Sequence, residues 1–463
     1  MKNMTLENIA AACHGTYYGN EPDKTVEVTG IVIDSRLVEK DTLFVPIRGE
    51  KVDGHKFIPN VFAQGAAAVL SEERLEQPAG PYIQVTSCKE ALKELAVYYR
   101  QSLNIKVVGI TGSVGKTSTK EMIASVLGQQ YSVLKTEGNF NNEIGLPLTI
   151  FKIKDHHQVA VLEMGISEFG EMHRLAAMAN PDICVITNIG LCHLENLKTR
   201  DGILKAKTES FDHIREGGIA VLNGDDDKLS TIDMVNGMHP VFYGLGKEPA
   251  ENAKAEKSVY ATDIESLGLS GTRVVIHINE KAFEVVIPIP GDHNVYNALA
   301  AASVADKLGL TAEQIKSGIE SAGTISGRTN MIRVHDMLVI DDCYNANPVS
   351  MKASLDVLSK ADGRKIAVLG DMGELGADEK ALHYSVGEYL ATKEIDVLFT
   401  AGALSKEIAT AVQNQKGSCQ LHVFDDRETM TRELLDFLQN GDTILIKASH
   451  FMEFPKVVEA VIK

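Results

Sequence analysis

The turn Gly109-Ile110-Thr111-Gly112-Ser113-Val114-Gly115-Lys116-Thr117-Ser118 constrains this chain more than any other feature. An apolar run (Ile105, Val107, Val108) precedes it, and a helical spacing (Met122, Ile123, Val126, Leu127) follows. A glycine-rich turn from strand to helix leaves backbone N–H groups facing an anion, with the helix dipole behind them. Lys116 is then set to reach terminal phosphates, and the Thr117 hydroxyl to sit on a magnesium ion. Counting back from Gly115-Lys116, the usual first glycine of such a loop would fall at Ile110; here Gly112 lies inside the loop instead. The expectation is a parallel α/β domain that binds ATP or GTP.

A chain of 463 residues exceeds one hydrophobic core and suggests about three domains. The formal net charge of −17 argues against a general affinity for nucleic acid or an anionic membrane surface. Anionic ligands must therefore be held by local positive features. Six cysteines (Cys13, Cys88, Cys184, Cys192, Cys343, Cys419) form no CxxC pair, which reads as a reducing compartment without a disulfide framework or zinc site. Neither an apolar signal core nor a stretch of about 18 apolar residues occurs, so a cytoplasmic protein with no integral membrane contact is expected.

Residues 1–100 form a small α/β N-terminal domain, with strands expected at Glu27–Ile33, Thr42–Pro46, Ala67–Leu70 and Tyr82–Val85 and a helix at Lys89–Arg100. Residues 101–326 carry the phosphate loop and then strands at Val159–Glu163, Ile183–Asn188 and Ile219–Asn223 between helical patterns, as a mostly parallel sheet requires. Alternation at Val274, Ile276, Ile278 and at Phe283, Val285, Ile287 predicts a small antiparallel β insertion. Residues 327–463 repeat strand and helix (Leu338–Asp342, Ile366–Gly370, Val397–Ala401, Leu421–Phe424, Thr443–Lys447) and read as a Rossmann-like doubly wound domain.

Several polar residues gather at predicted strand ends. Glu163 ends an apolar strand, where parallel sheets bind ligands, and could hold Mg²⁺ beside the phosphates. His193 follows the next strand, and Lys207 lies in a helical segment; on spacing alone a structural histidine and a solvated lysine serve as well. The turn Gly138-Asn139-Phe140-Asn141-Asn142 suits tight-turn chemistry, yet Asn141 and Asn142 could also grip a polar ligand. Gly291 to Ala298 reads as a helix start whose polar edge could meet a base. Asp341-Asp342-Cys343-Tyr344-Asn345-Ala346-Asn347-Pro348 again sets polar groups at a strand end, with Pro348 opening a helix.

Taken in order over essentially the whole chain, these features resemble the Mur ligase family of ATP-dependent amide-bond-forming enzymes. Thr111 to Ser118 is similar to the family's shortened phosphate loop, which accounts for the displaced glycine. Asp34-Ser35-Arg36 and Asp53-Gly54-His55-Lys56-Phe57 resemble the N-terminal domain of members that extend a UDP-linked muramoyl peptide. The Asn139–Asn142 turn, Asp342 to Pro348 and Gly370-Asp371-Met372-Gly373-Glu374-Leu375-Gly376 resemble those members that add D-alanyl-D-alanine to UDP-N-acetylmuramoyl-tripeptide. Lys447-Ala448-Ser449-His450 departs from many relatives, which have Gly and Arg at its second and fourth positions.

The resemblance implies a set of roles. Glu163, His193 and a carbamylated Lys207 would hold Mg²⁺ with Thr117; carbamylation turns a cation into an anion that can position a metal. Gly112, Ser113, Val114, Gly115, Lys116, Thr117 and Ser118 would cradle ATP, with Asn297 on adenine, Asp342 on the ribose and Arg328 on the phosphates. Ser35 and Arg36 would hold the UDP-linked substrate, and Asn345 and Asn347 the dipeptide. Lys116, Glu163, His193 and Lys207 form the implied catalytic set, acting through an acyl phosphate. The family default is a monomer. Alternatives are the sister ligase that adds the third-position diamino acid, a folylpolyglutamate-type ligase, and a nucleotide switch. The chain lacks the Asn-Lys-x-Asp guanine reader of a GTPase switch.

Overall fold

The strand Lys106–Thr111 buries every residue but its first, as a strand covered on both faces must. In the computed structural model, which describes residues 1–463 apart from 50, 51, 252, 254, 416 and 417, this strand lies inside a nine-stranded sheet. From one edge the sheet runs Val133–Lys135, Val159–Glu163, Lys106–Thr111, Ile183–Ile186, Ile219–Asn223, Val241–Leu245, Val259–Ser266, Thr272–Ile278 and Lys281–Ile287. The pairs are parallel as far as Val259–Ser266, and the last two strands fold back antiparallel. The expected antiparallel insertion is thus an extension of the main sheet. Its middle strand alternates buried and half-exposed residues, so one face packs on the core. Helices Lys116–Leu127 and His293–Lys307 cover that face; the second is rich in alanine (Ala298, Ala300, Ala301, Ala302, Ala305), which permits close approach.

The N-terminal sheet orders Thr16–Tyr18, Tyr82–Gln84, Ala68–Ser71, Leu43–Phe44 and Ile31–Val32, parallel except for its first pair. The strand expected over Glu27–Ile33 contracts to Ile31–Val32. Helix Cys88–Ser102 joins this unit to the central sheet, and one apolar core runs without a break from Met4 to Val235. The buried Arg100 guanidinium secures the joint by donating to the carbonyls of Ala179, Leu103 and Asn180, while the Tyr99 hydroxyl donates to Ile153 O.

The C-terminal sheet orders Asn330–Val334, Met337–Asp341, Thr443–Lys447, Lys365–Gly370, Val397–Ala401 and Gln420–Phe424. All pairs are parallel but the first, whose edge strand Asn330–Val334 is not read from the sequence. This domain has apolar cores of its own on each face of its sheet. The chain is therefore a three-domain α/β protein. Among the described residues no helix is long and apolar enough to cross a membrane.

Candidate active site

The phosphate loop spans the end of strand Lys106–Thr111 and the start of helix Lys116–Leu127. Gly112 (φ +152°) and Gly115 (φ +81°) adopt backbone conformations that side chains disfavour. A Cβ on Gly112 would lie 1.9 Å from Thr187 Oγ1. The segment after strand Ile183–Ile186 braces the loop from behind. Thr187 Oγ1 and Asn188 Nδ2 donate to Val114 O (2.7 and 3.0 Å), Asn188 Oδ1 accepts from Val114 N (3.0 Å), and Ser113 N donates to Asn188 O. Lys116 Nζ reaches back along the loop to Gly112 O at 2.9 Å.

Glu163 ends the neighbouring strand and is 2% exposed. Its Oε1 accepts from Asn141 Nδ2 at 2.9 Å, whereas its buried Oε2 has no hydrogen-bond partner. Buried Lys120 stands behind it, with Nζ donating to Thr136 O (2.6 Å) and lying 3.8 Å from Glu163 Oε2. An unpartnered buried carboxylate oxygen is costly, and a cation there would supply what it lacks. Lys207, in helix Arg200–Thr208, is 1% exposed. Burial first, and the charge of Lys116 second, hold its amine down at about 7. Among the described residues no cluster of three or more His, Cys, Asp or Glu side chains is drawn together as a metal site.

His193 has a left-handed backbone (φ +49°), and its Nδ1 lies 2.8 Å from Glu374 Oε2 in the C-terminal domain. That contact holds the Glu374 carboxyl below its ordinary range. A second bridge crosses the same boundary: Arg328 Nη2 donates to Thr117 Oγ1 at 3.4 Å, and its guanidinium stacks 4.2 Å from the centre of the Tyr344 ring. Arg328 also lines a cleft with Ser118, Glu121, Ile289, His293 and Asn294.

Other expected residues are tied into their own surroundings. Asn297 accepts from Thr119 Oγ1 (2.8 Å) and donates to Asn294 Oδ1 (2.9 Å), so it lies behind the loop while Asn294 faces the cleft. Buried Asp342 accepts from Lys447 Nζ (2.7 Å), Ser354 Oγ (2.5 Å) and Thr329 N (3.1 Å). Asn142 Oδ1 accepts from the amides of Ile144 and Gly145, at the start of helix Gly145–Phe151. Asn347 caps helix Pro348–Ser359 in a reciprocal box with Ser350. Asn345 is exposed, its Oδ1 accepting from Ala346 N. In the N-terminal domain Ser35 is half-buried, and exposed Arg36 forks onto Asp34.

Sequence reasoning missed Lys120, the Thr187-Asn188 brace and Glu374. Lys120 left a signal in lying one helical turn beyond Lys116, and Glu374 in standing within the motif Gly370–Gly376, though neither signal assigns a role.

Comparison with known proteins covers the whole length. Residues 27–108 match the Mur ligase family catalytic domain, 110–305 the Mur ligase middle domain, and 327–450 the Mur ligase glutamate ligase domain. The chain is 36% identical to UDP-N-acetylmuramoyl-tripeptide–D-alanyl-D-alanine ligase of Bacillus subtilis (strain 168), across 100% of this chain and 99% of the relative. The crystal structure of MurF from Acinetobacter baumannii superposes with a TM-score of 0.88 at 31% identity, covering 99% and 98% of the two chains. MurF ligase from Thermotoga maritima, solved in complex with ADP, gives 0.81 at 30% identity over 93% and 96%.

Proposed function

The chain belongs to the Mur ligase family, and from that premise we propose that it joins D-alanyl-D-alanine to UDP-N-acetylmuramoyl-tripeptide at the expense of ATP. The product is the UDP-linked pentapeptide precursor of peptidoglycan. The observation that carries this reading is the match to a ligase of that name across 100% of this chain and 99% of the relative. The phosphate loop, braced against Thr187 and Asn188, supports ATP as the phosphoryl donor.

A free carboxylate resists attack by an amine, so it is first phosphorylated. The tripeptide carboxylate attacks the γ-phosphorus, ADP leaves, and an acyl phosphate remains. The dipeptide amine then attacks the acyl carbon, inorganic phosphate departs and the amine proton is lost. Lys116 and the N-terminal amides of helix Lys116–Leu127 hold the transferring phosphoryl group, with Arg328 closing from the domain junction. Glu163, through its unpartnered Oε2, Thr117, His193 and a carbamylated Lys207 are the residues that would hold Mg²⁺. Bound there, Mg²⁺ neutralises charge on the phosphates. A near-neutral, buried amine is the species that reacts with carbon dioxide, which supports the carbamate on Lys207.

Residues 1–100, with Ser35 and Arg36, bind the UDP-linked substrate; residues 101–326 bind ATP. Residues 327–463 present the dipeptide through Asn345 and Asn347, and Asn141 and Asn142 border the substrate path. Asn297 acts at the adenine end by holding Asn294 toward the cleft, and Asp342 shapes the ribose side through Lys447. The enzyme works in the cytoplasm as a monomer. Phosphate release from ATP is the test. It should require both the tripeptide and D-alanyl-D-alanine and yield a pentapeptide by mass, whereas release independent of the dipeptide would overturn the reading.

A further inference from the structure

We infer that Glu374 is a positioning residue that orients His193 across the boundary between the central and C-terminal domains. The inference rests on the reading of His193 as a ligand to a divalent cation. Both partners lie in loops at the carboxyl ends of parallel strands, His193 after Ile183–Ile186 and Glu374 after Lys365–Gly370. Both have left-handed backbones (φ +49° and +61°), an uncommon conformation for residues other than glycine, and the two side chains meet at 2.8 Å.

The three residues before Glu374 are held by hydrogen bonds, while the Glu374 side chain itself is exposed. Met372 N donates to the buried His383 Nε2 (2.8 Å), Gly373 N to Ser449 Oγ (2.9 Å), and Asp371 Oδ1 accepts from the amides of Leu404 and Ser405. A carboxylate can only accept, so the 2.8 Å contact places a proton on His193 Nδ1 and leaves the Nε2 lone pair for a cation. Because the carboxylate comes from another domain, the ligand is set in this orientation only when the domains meet. Closure and assembly of the cation site are then one event.

The test is Mn²⁺ binding to the full chain in the presence of ADP, followed by the electron paramagnetic resonance of free Mn²⁺, beside kcat and KM for ATP. Glu374→Ala should weaken Mn²⁺ about 10-fold, the lower end of what loss of such a partner costs. Glu374→Gln, whose amide oxygen still accepts from Nδ1–H, should keep most of the affinity. Glu374→Ala should add nothing in a His193→Ala background. Unchanged Mn²⁺ affinity in Glu374→Ala, with weakened binding in His193→Ala, would overturn the inference and spare the reading of His193. Unchanged affinity in His193→Ala would overturn both. Glu374→Gln as weak as Glu374→Ala, or a further loss in the double variant, would also overturn the orienting role. Unfolding midpoints matching the parent identify variants that fold.

Discussion

Burial holds the Lys207 amine at about 7, against 10.5 for an exposed lysine. At pH 7 about half of Lys207 is therefore neutral, compared with roughly one in 3,000 for a surface lysine. Only the neutral amine adds to carbon dioxide, so carbamylation should concentrate at this position. Carbon-13 NMR of the full chain in labelled bicarbonate should give a carbamate resonance that Lys207→Met lacks. The same burial leaves a mark on stability. The folded-state value lies below the unfolded one, so the unfolded chain holds more protons between about 7 and 10.5, and stability rises with pH across that window. The penalty vanishes above that window and is complete below it, at no more than ~5 kcal/mol. In bicarbonate-free, metal-free buffer Lys207→Met should outlast the parent in chemical denaturation at pH 6, and the gap should narrow by ~2 kcal/mol at pH 8.5. An equal gap at both pH values, or identical carbamate resonances in parent and variant, would refute the reasoning.

Gly112→Ala puts a methyl group onto Thr187 Oγ1 and should weaken ADP binding by calorimetry at least 10-fold, with partial recovery when Thr187→Ala is added. Asn188→Ala strips two bonds from Val114 and should lower stability by about 1–3 kcal/mol in a thermal scan and raise KM for ATP by loosening the loop. Arg100→Ala leaves three buried carbonyls without their donor and should lower stability by about 3 kcal/mol or more while barely moving KM for ATP. A thermal scan of the variant checks this last expectation.

Strands were legible either as apolar runs buried on both faces or, as in Thr272–Ile278, by strict alternation along a half-buried strand. Lys106–Thr111, Val159–Glu163 and Thr443–Lys447 are unbroken apolar runs because neither face meets water. Asn330–Val334 escaped because it is a half-exposed edge strand whose Asn and Arg break the pattern. The phosphate loop was legible because few sequences tolerate two positive-φ glycines beside Lys-Thr. What surrounds each side chain was not. Asn297 and Asn142 have the composition of ligand contacts, yet their bonds run to Thr119 and to a helix start. Glu374 stood in the motif Gly370–Gly376, but its pairing with His193 was not legible, since the partner lies in another domain and no local periodicity links the two.

The break in apolar packing has a consequence for salt. The N-terminal and central domains share one core, whereas the C-terminal domain keeps its own and meets the others through Arg328–Thr117, His193–Glu374 and Lys360–Asp292. Parting that boundary breaks these polar contacts and frees Leu269, which packs on the C-terminal core. Two of those contacts, His193–Glu374 and Lys360–Asp292, end on exposed carboxylates, so added salt should weaken the boundary while leaving the shared N-terminal and central core untouched.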